Sequence, residues 1–149
     1  MEGIELKNKI IEDLEKEHRG KTDDKILDDT LQKMRASNTA YYASGSIVSI
    51  FFYAKVTLDL DGKDRSGHFE GNSYGPCTVG GGKYWGDVYT DDIDKLFEKT
   101  DSFTVTSNNV YICVLFHDKD GTLLGHFQGG GFSISGSTCA GNGSWSHCK

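Results

Sequence analysis

No apolar run in this chain approaches the roughly twenty residues that cross a bilayer as a helix, so no helical membrane span is expected. Positive charge is also scarce: 16 Lys and Arg stand against 22 Asp and Glu, a net charge of −6. Proteins that grip nucleic acid need a basic surface to neutralise phosphates, so the balance argues against a nucleic-acid partner. It also weakens simple electrostatic attraction to an anionic membrane. The opening is not expected to act as a secretory signal. "MEGIELKNKIIEDLEKEH" carries acids where a signal needs a basic start and an apolar stretch. Paired cysteine spacing is absent too. Cys77, Cys113, Cys139 and Cys148 show no C-x-x-C, which lowers the case for zinc or a redox dithiol.

What remains suffices for one folded domain. The chain has 149 residues, 36% of them hydrophobic and 26% charged, which favours folding over disorder and allows a real core. Its character changes near residue 40. Residues 1–40 hold 18 of the 38 acidic and basic residues but only two of the 19 glycines. Ile4, Ile10, Ile11 and Leu14 form a one-sided stripe, and Ile26, Leu27, Leu31 and Met34 recur at helical spacing. Thr22 is the expected cap of the second segment, with Asp23 and Asp24 against the helix dipole and Lys33 and Arg35 in the last turn. An amphipathic helical pair follows over 1–40, read either as a cap lying on the rest of the domain or as a partner-binding or anchoring element.

From Tyr41 onward Gly, Ser, Thr and aromatics dominate, marking 41–149 as a separate β region. In "FYAKVTLDLDG" Phe52, Ala54, Val56, Leu58 and Leu60 face one way and Lys55, Thr57 and Asp59 the other, ending at an Asp-Gly turn. "SFTVTSNN" sets Phe103 and Val105 inward, and "GFSISGS" sets Phe132 and Ile134 on one face. "VYICVLFHDKDG" is apolar on both parities and is therefore more deeply buried, with Cys113 as a small core residue. "TDDIDKLFEKT" reads as a single internal helix capped by Thr90 and burying Ile93, Leu96 and Phe97. Many short strands, glycine turns and one helix point to a sandwich or a closed barrel.

One phrase is written twice. Gly67-His68-Phe69-Glu70-Gly71 matches Gly125-His126-Phe127-Gln128-Gly129, each on the return strand of a hairpin and each followed by a glycine-rich bend and then an aromatic, Trp85 or Trp145. Strand alternation sends the two phenyl rings inward and the polar pairs outward. The phrase is read as a joint of a duplicated antiparallel unit rather than as a ligand motif.

No constellation of catalytic groups assembles from the sequence. The histidines lack H-x-H or H-E-x-x-H spacing, and the Asp-Gly segments lack the remaining ligands of a calcium loop. There is no G-x-S-x-G, and "GGGK" leads into an aromatic strand instead of a phosphate-cradling helix. Neither an enzyme activity nor a cofactor or metal is expected. The candidate binding residues are Trp85, Tyr84, Trp145 and Tyr74, read either as barrel plugs or as an exposed aromatic patch. A disulfide between Cys139 and Cys148, which bracket a glycine-rich tail, is one of several open cysteine states.

The segments "GGGKYWGDVYTDDIDKLFEKTDSF", "VYICVLFHDKDGTLLGHFQGGGFSISG" and "GNGSW" carry a resemblance. In order and spacing, the region from about Ala43 to Trp145 resembles the virulence-associated Vap family first known from Rhodococcus. The resemblance implies a compact, closed eight-stranded antiparallel barrel of two Greek-key halves with one short helix, filled by side chains and without enzymatic activity. It implies exported proteins that disturb maturation of the host phagocytic vacuole, with association with anionic lipid linked to at least one member. On this basis the expected partner is a host or cellular protein or a membrane lipid. Secretion is the location that the resemblance implies, and the cytoplasm is the alternative that the opening leaves. The alternative function is a small-molecule-binding barrel with a ligand in its open mouth.

Overall fold

The computed structural model describes residues 3–21, 23–37, 39–50, 52–62, 65–74, 82–108, 110–131 and 137–148. Helices α1 (Gly3–His18) and α2 (Asp24–Ala36) precede strands β1 (Ala40–Ile50), β2 (Tyr53–Asp61), β3 (Ser66–Tyr74) and β4 (Gly82–Tyr89). Helix α3 (Ile93–Lys99) then leads to β5 (Ser102–Ser107), β6 (Ile112–His117), β7 (Leu123–Gly131) and β8 (Ser137–Cys148). The eight strands close into an antiparallel barrel in the order β1-β2-β3-β8-β5-β6-β7-β4. Read from β4, the first half runs 4-1-2-3, and β8-β5-β6-β7 repeats that order, so each half is a Greek key.

The doubled phrase occupies the third strand of each half and forms both joints. At one, Phe69 and Gly71 of β3 pair with Trp145 and Gly143 of β8; at the other, Phe127 and Gly129 of β7 pair with Val88 and Gly86 of β4. The strands coil tightly there: a Cβ built on Gly129 would lie 2.1 Å from the carbonyl oxygen of Trp85. The leading glycine serves the barrel end, since a Cβ on Gly67 would meet the Phe97 ring of α3 at 2.5 Å. These registers also correct one expectation. Trp145 stands where Val88 stands in the other half, so Trp85 and Trp145 are not structural counterparts.

Two cores result. Inside the barrel, strand alternation delivers Val56, Leu58, Phe69, Phe103, Phe116 and Phe127 to the axis, closed at the α3 end by Leu96, Phe97 and Trp145. Outside it, Ile10, Ile11 and Leu14 of α1 and Leu27, Leu31 and Met34 of α2 pack on Tyr111, Cys113, Leu115 and Leu123. This explains the double-parity run in β6: Ile112, Val114 and Phe116 face the axis, and Cys113 and Leu115 face the helices. The helical pair is thus a cap on the outer β6–β7 face.

Several local expectations change. Ile4 and Ile26 are exposed, leaving the buried helical stripes narrower than the apolar spacing suggested. The N-cap of α2 is Asp23, whose carboxylate accepts from Lys25 N; the expected cap Thr22 lies outside the described residues. Helix α3 is capped by Asp92, which accepts from Lys95 N, while Thr90 Oγ1 donates to the Leu124 carbonyl and so ties the turn to β7. Phe52 is exposed in the β1–β2 turn instead of joining the inward row of β2. Phe132 and Ile134 lie outside the described residues.

Candidate functional site

The four candidate aromatics part company. Tyr84 is buried against Phe127 and donates its hydroxyl to the Thr57 carbonyl at 2.6 Å. Desolvation raises its pKa above the ordinary tyrosine value. Trp145 is also buried, packed on Phe69, Phe97 and Phe116. Both are plugs. Trp85 is 46% exposed and Tyr74 80% exposed, on β4 and at the end of β3. Trp85 borders a shallow cleft of about 420 Å³ shared with Tyr42, Thr57, Asp59 and Lys83.

The two histidines of the repeat have equal strand parity and opposite fates. His68 lies on the open face of β3, its Nδ1 on Asp59 Oδ1 at 2.6 Å and its Nε2 on Glu70 Oε1 at 3.3 Å. The Asp59 hydrogen bond is the main force raising its pKa, and the His68 contact in turn lowers that of Glu70, helped by Lys55. With both ring nitrogens on carboxylates, this imidazole is not free to serve as base to a hydroxyl or thiol. Among the described residues, no group of three His, Cys, Asp or Glu is placed to hold a metal ion.

His126 also points away from the barrel axis, yet it is fully buried, because the helical pair covers its face. The expectation that both polar pairs look outward into solvent holds for His68 and Glu70 and fails for His126 and Gln128. Gln128 Nε2 donates to the Gly3 carbonyl at 2.7 Å, which leaves its Oε1 to accept from His126 Nε2 at 2.9 Å. His126 is therefore the neutral tautomer with a bare Nδ1, and that atom has no hydrogen-bond partner. Its ring stacks on Tyr89 with centroids 5.2 Å apart, and Lys7 Nζ lies 5.1 Å from the centre of the same Tyr89 ring. Lys7, itself buried, donates to the Ser37 carbonyl at 2.6 Å, and Ser37 Oγ is a second buried atom without a partner. Burial pushes the His126 pKa down to about 4, with Lys7 adding to the shift. The sequence marked His126 but not Lys7 or Ser37; only docking of the helices brings the three together.

Acidic residues are sorted along the barrel axis. Among the described acidic residues beyond residue 40, ten of eleven lie at the α3 end, in the connections or within three residues of a strand end; the exception is Glu70, midway along β3. The opposite end gathers the β1–β2 turn, the end of β3 and the β5–β6 connection. Its exposed side chains include Val48, Phe52, Tyr74 and Val110, and residues 30–58, 71–86 and 102–117 contain no Asp or Glu at all. Asp13 of α1 reaches the flank of this end, where it accepts from the Tyr111 hydroxyl at 2.7 Å.

The profile of the Rhodococcus equi virulence-associated protein family matches residues 2–146, nearly the entire chain. The chain belongs to the virulence-associated Vap family. Among solved structures it is similar to the virulence-associated protein VapB from the intracellular pathogen Rhodococcus equi, with 30% identity over 72% of this chain and 96% of that one, and a TM-score of 0.64. It is also similar to VapD from the same organism, with 27% identity over 74% of this chain and 99% of that one, and a TM-score of 0.69. Comparison with curated protein sequences found no match. The structural matches cover about the share of the chain that β1 to the last residue represents, 110 of 149 residues. The Vap profile, in contrast, begins ahead of α1 and runs through the helical pair.

Proposed function

We propose that this Vap protein is a non-enzymatic, effector-like interaction protein that acts from the outside of a solid barrel by docking, on a lipid surface, the end whose strands and turns carry no acid. Its setting is the one family resemblance suggests: export, and disturbance of host vacuole maturation. One observation carries the reading, namely the axial sorting of acidic residues described above. A chain of net charge −6 is repelled by an anionic bilayer unless it presents a surface from which acids are absent. Tyr74, Phe52 and Val48 supply such a surface, with Lys83 the nearby cation and Trp85 further along β4. Aromatic rings with one polar edge favour the headgroup level of a membrane. The barrel interior is occupied by aromatic and aliphatic side chains, so a small ligand in the barrel mouth finds less support.

Vesicle flotation tests this reading with the full chain on phosphatidylcholine vesicles, with and without phosphatidylserine. Wild type floats with the vesicles, and Phe52→Ser combined with Tyr74→Ser weakens binding by about tenfold per ring or more, given roughly 1.5–3 kcal/mol for burying each side chain. Absence of flotation on both compositions, or equal flotation of the double variant, rejects docking by this end.

A further inference from the structure

We propose that the helical pair is an acid-released clasp: lowering the pH unseats α1 and α2 as a body from the β6–β7 face while the barrel stays folded. The barrel has its own core and closes its ladder without the helices, whereas the helices bury their apolar stripes only against the barrel's outside and each other. The two bodies are joined where α2 ends, at Ser37 to Ala40, and Thr39 is anchored there by Thr90 N donating to its carbonyl at 3.1 Å. At that same point Lys7 of α1 clamps Ser37, and His126 sits beneath with a bare Nδ1 facing no acceptor.

The charged and titratable groups around His126 come from every element packed there. Lys7 approaches from α1, Tyr89 and Asp87 stand on β4, and β6, whose Leu115 pairs with His126, brings Cys113 and, at its end opposite Leu123, His117. Lys33 of α2, Asp91 and Asp92 before α3, and Lys95 of α3 rim the adjoining cleft of about 200 Å³. The nearest of these in effect is the Lys7 ammonium, which opposes a second positive charge; Asp91 is engaged in holding Lys7 charged. A proton on His126 Nδ1 would therefore be buried beside a cation, without a hydrogen-bond acceptor.

The sign follows from linkage. The docked state holds the His126 pKa down to about 4, while an exposed imidazole titrates near 6.5. Docking is therefore at full strength above about pH 6.5 and weakens as the pH falls from there toward 4, roughly thirtyfold in the docking equilibrium by pH 5.

Cys113 provides the readout, because it is a free thiol on the outer face of β6, buried under the helices. The full chain is treated at pH 7.5 and pH 5 with a dipyridyl disulfide reagent, and modification at Cys113 is followed by peptide mass spectrometry relative to an unstructured thiol peptide. In wild type the relative rate rises about thirtyfold at pH 5 while, in a Trp85→Phe background that leaves Trp145 as the single tryptophan, the emission stays that of a buried indole. In His126→Gln, which is neutral at both pH values, the rise is far smaller than in wild type, leaving only what His117, also held down by burial on this face, contributes. Lys7→Met supplies a second test should His126→Gln not fold: removing the neighbouring charge shrinks the acid response. The proposal is overturned by an equal acid response in these variants, by no response in wild type, or by Cys113 exposure that coincides with loss of the Trp145 signal.

Discussion

A methyl group on Gly129 has nowhere to go, because the obstacle is backbone: the Trp85 carbonyl oxygen 2.1 Å away on the paired strand. A methyl on Gly67 meets a phenyl ring instead, at the rim of the barrel, and Phe97 can turn aside. Both Gly→Ala changes overpack a tight site, typically costing about 1–3 kcal/mol. Gly129→Ala is expected at or above the top of that range and Gly67→Ala near the bottom, measured as the shift in urea midpoint at constant slope. Phe69 touches Phe103, Phe116 and Trp145 at ring separations of 5.0–5.6 Å, so Phe69→Ala should cost about 3–5 kcal/mol. An equal response from the two glycines, or a Phe69 loss below 1 kcal/mol, would show that the joints are looser than described. At this scale the repeat was legible in the sequence because strand parity alone sends Phe69 and Phe127 inward. The difference between His68 and His126 was not, because parity fixes the side of a strand and not what another element lays over it.

Among the elements, β8 decides the cysteine question. Cys139 is disulfide-bonded, and its partner lies outside the described side chains. Cys148 stands nine residues further along the same strand, roughly 30 Å away at about 3.3 Å per residue, far beyond the 7 Å reach of a disulfide. The bridge between Cys139 and Cys148 that the sequence left open is therefore excluded. Non-reduced peptide mapping should find Cys139 crosslinked, no 139–148 bridge, and Cys113 alkylated only after the helices lift or the chain unfolds. The thiol of Cys113 is held unreactive by burial, which pushes its pKa up to about 12. Helix positions were readable from periodicity, but their caps were displaced. Asp23 and Asp92 took the role expected of Thr22 and Thr90, since carboxylates one or two residues later reach the same free amides. Thr90 found other work in tying α3 to β7.

At the scale of the whole molecule, closure was suggested by the repeat, and the two Greek-key halves followed from family resemblance rather than from composition. The binding surface was legible only in part. Tyr74 and Trp85 are exposed as a surface reading needs, while Tyr84 and Trp145 were claimed by the core; for the adjacent Tyr84 and Trp85 strand parity carried the signal, with Val88 on the face of Tyr84 and Asp87 on the face of Trp85. The sorting of acids to the α3 end is a property of the closed barrel, because it appears only once alternate strand ends are brought together. Two bodies with separate cores also imply two separable stabilities. The most direct measurement is urea unfolding of residues 39–149 alone, followed by near-ultraviolet circular dichroism and Trp145 emission. A barrel complete without its cap should give one cooperative transition and retain the near-ultraviolet spectrum of the full chain. A gradual transition with no fixed aromatic signal would mean that the helices are part of the barrel's own core, and the account of a closed, self-sufficient barrel would be wrong.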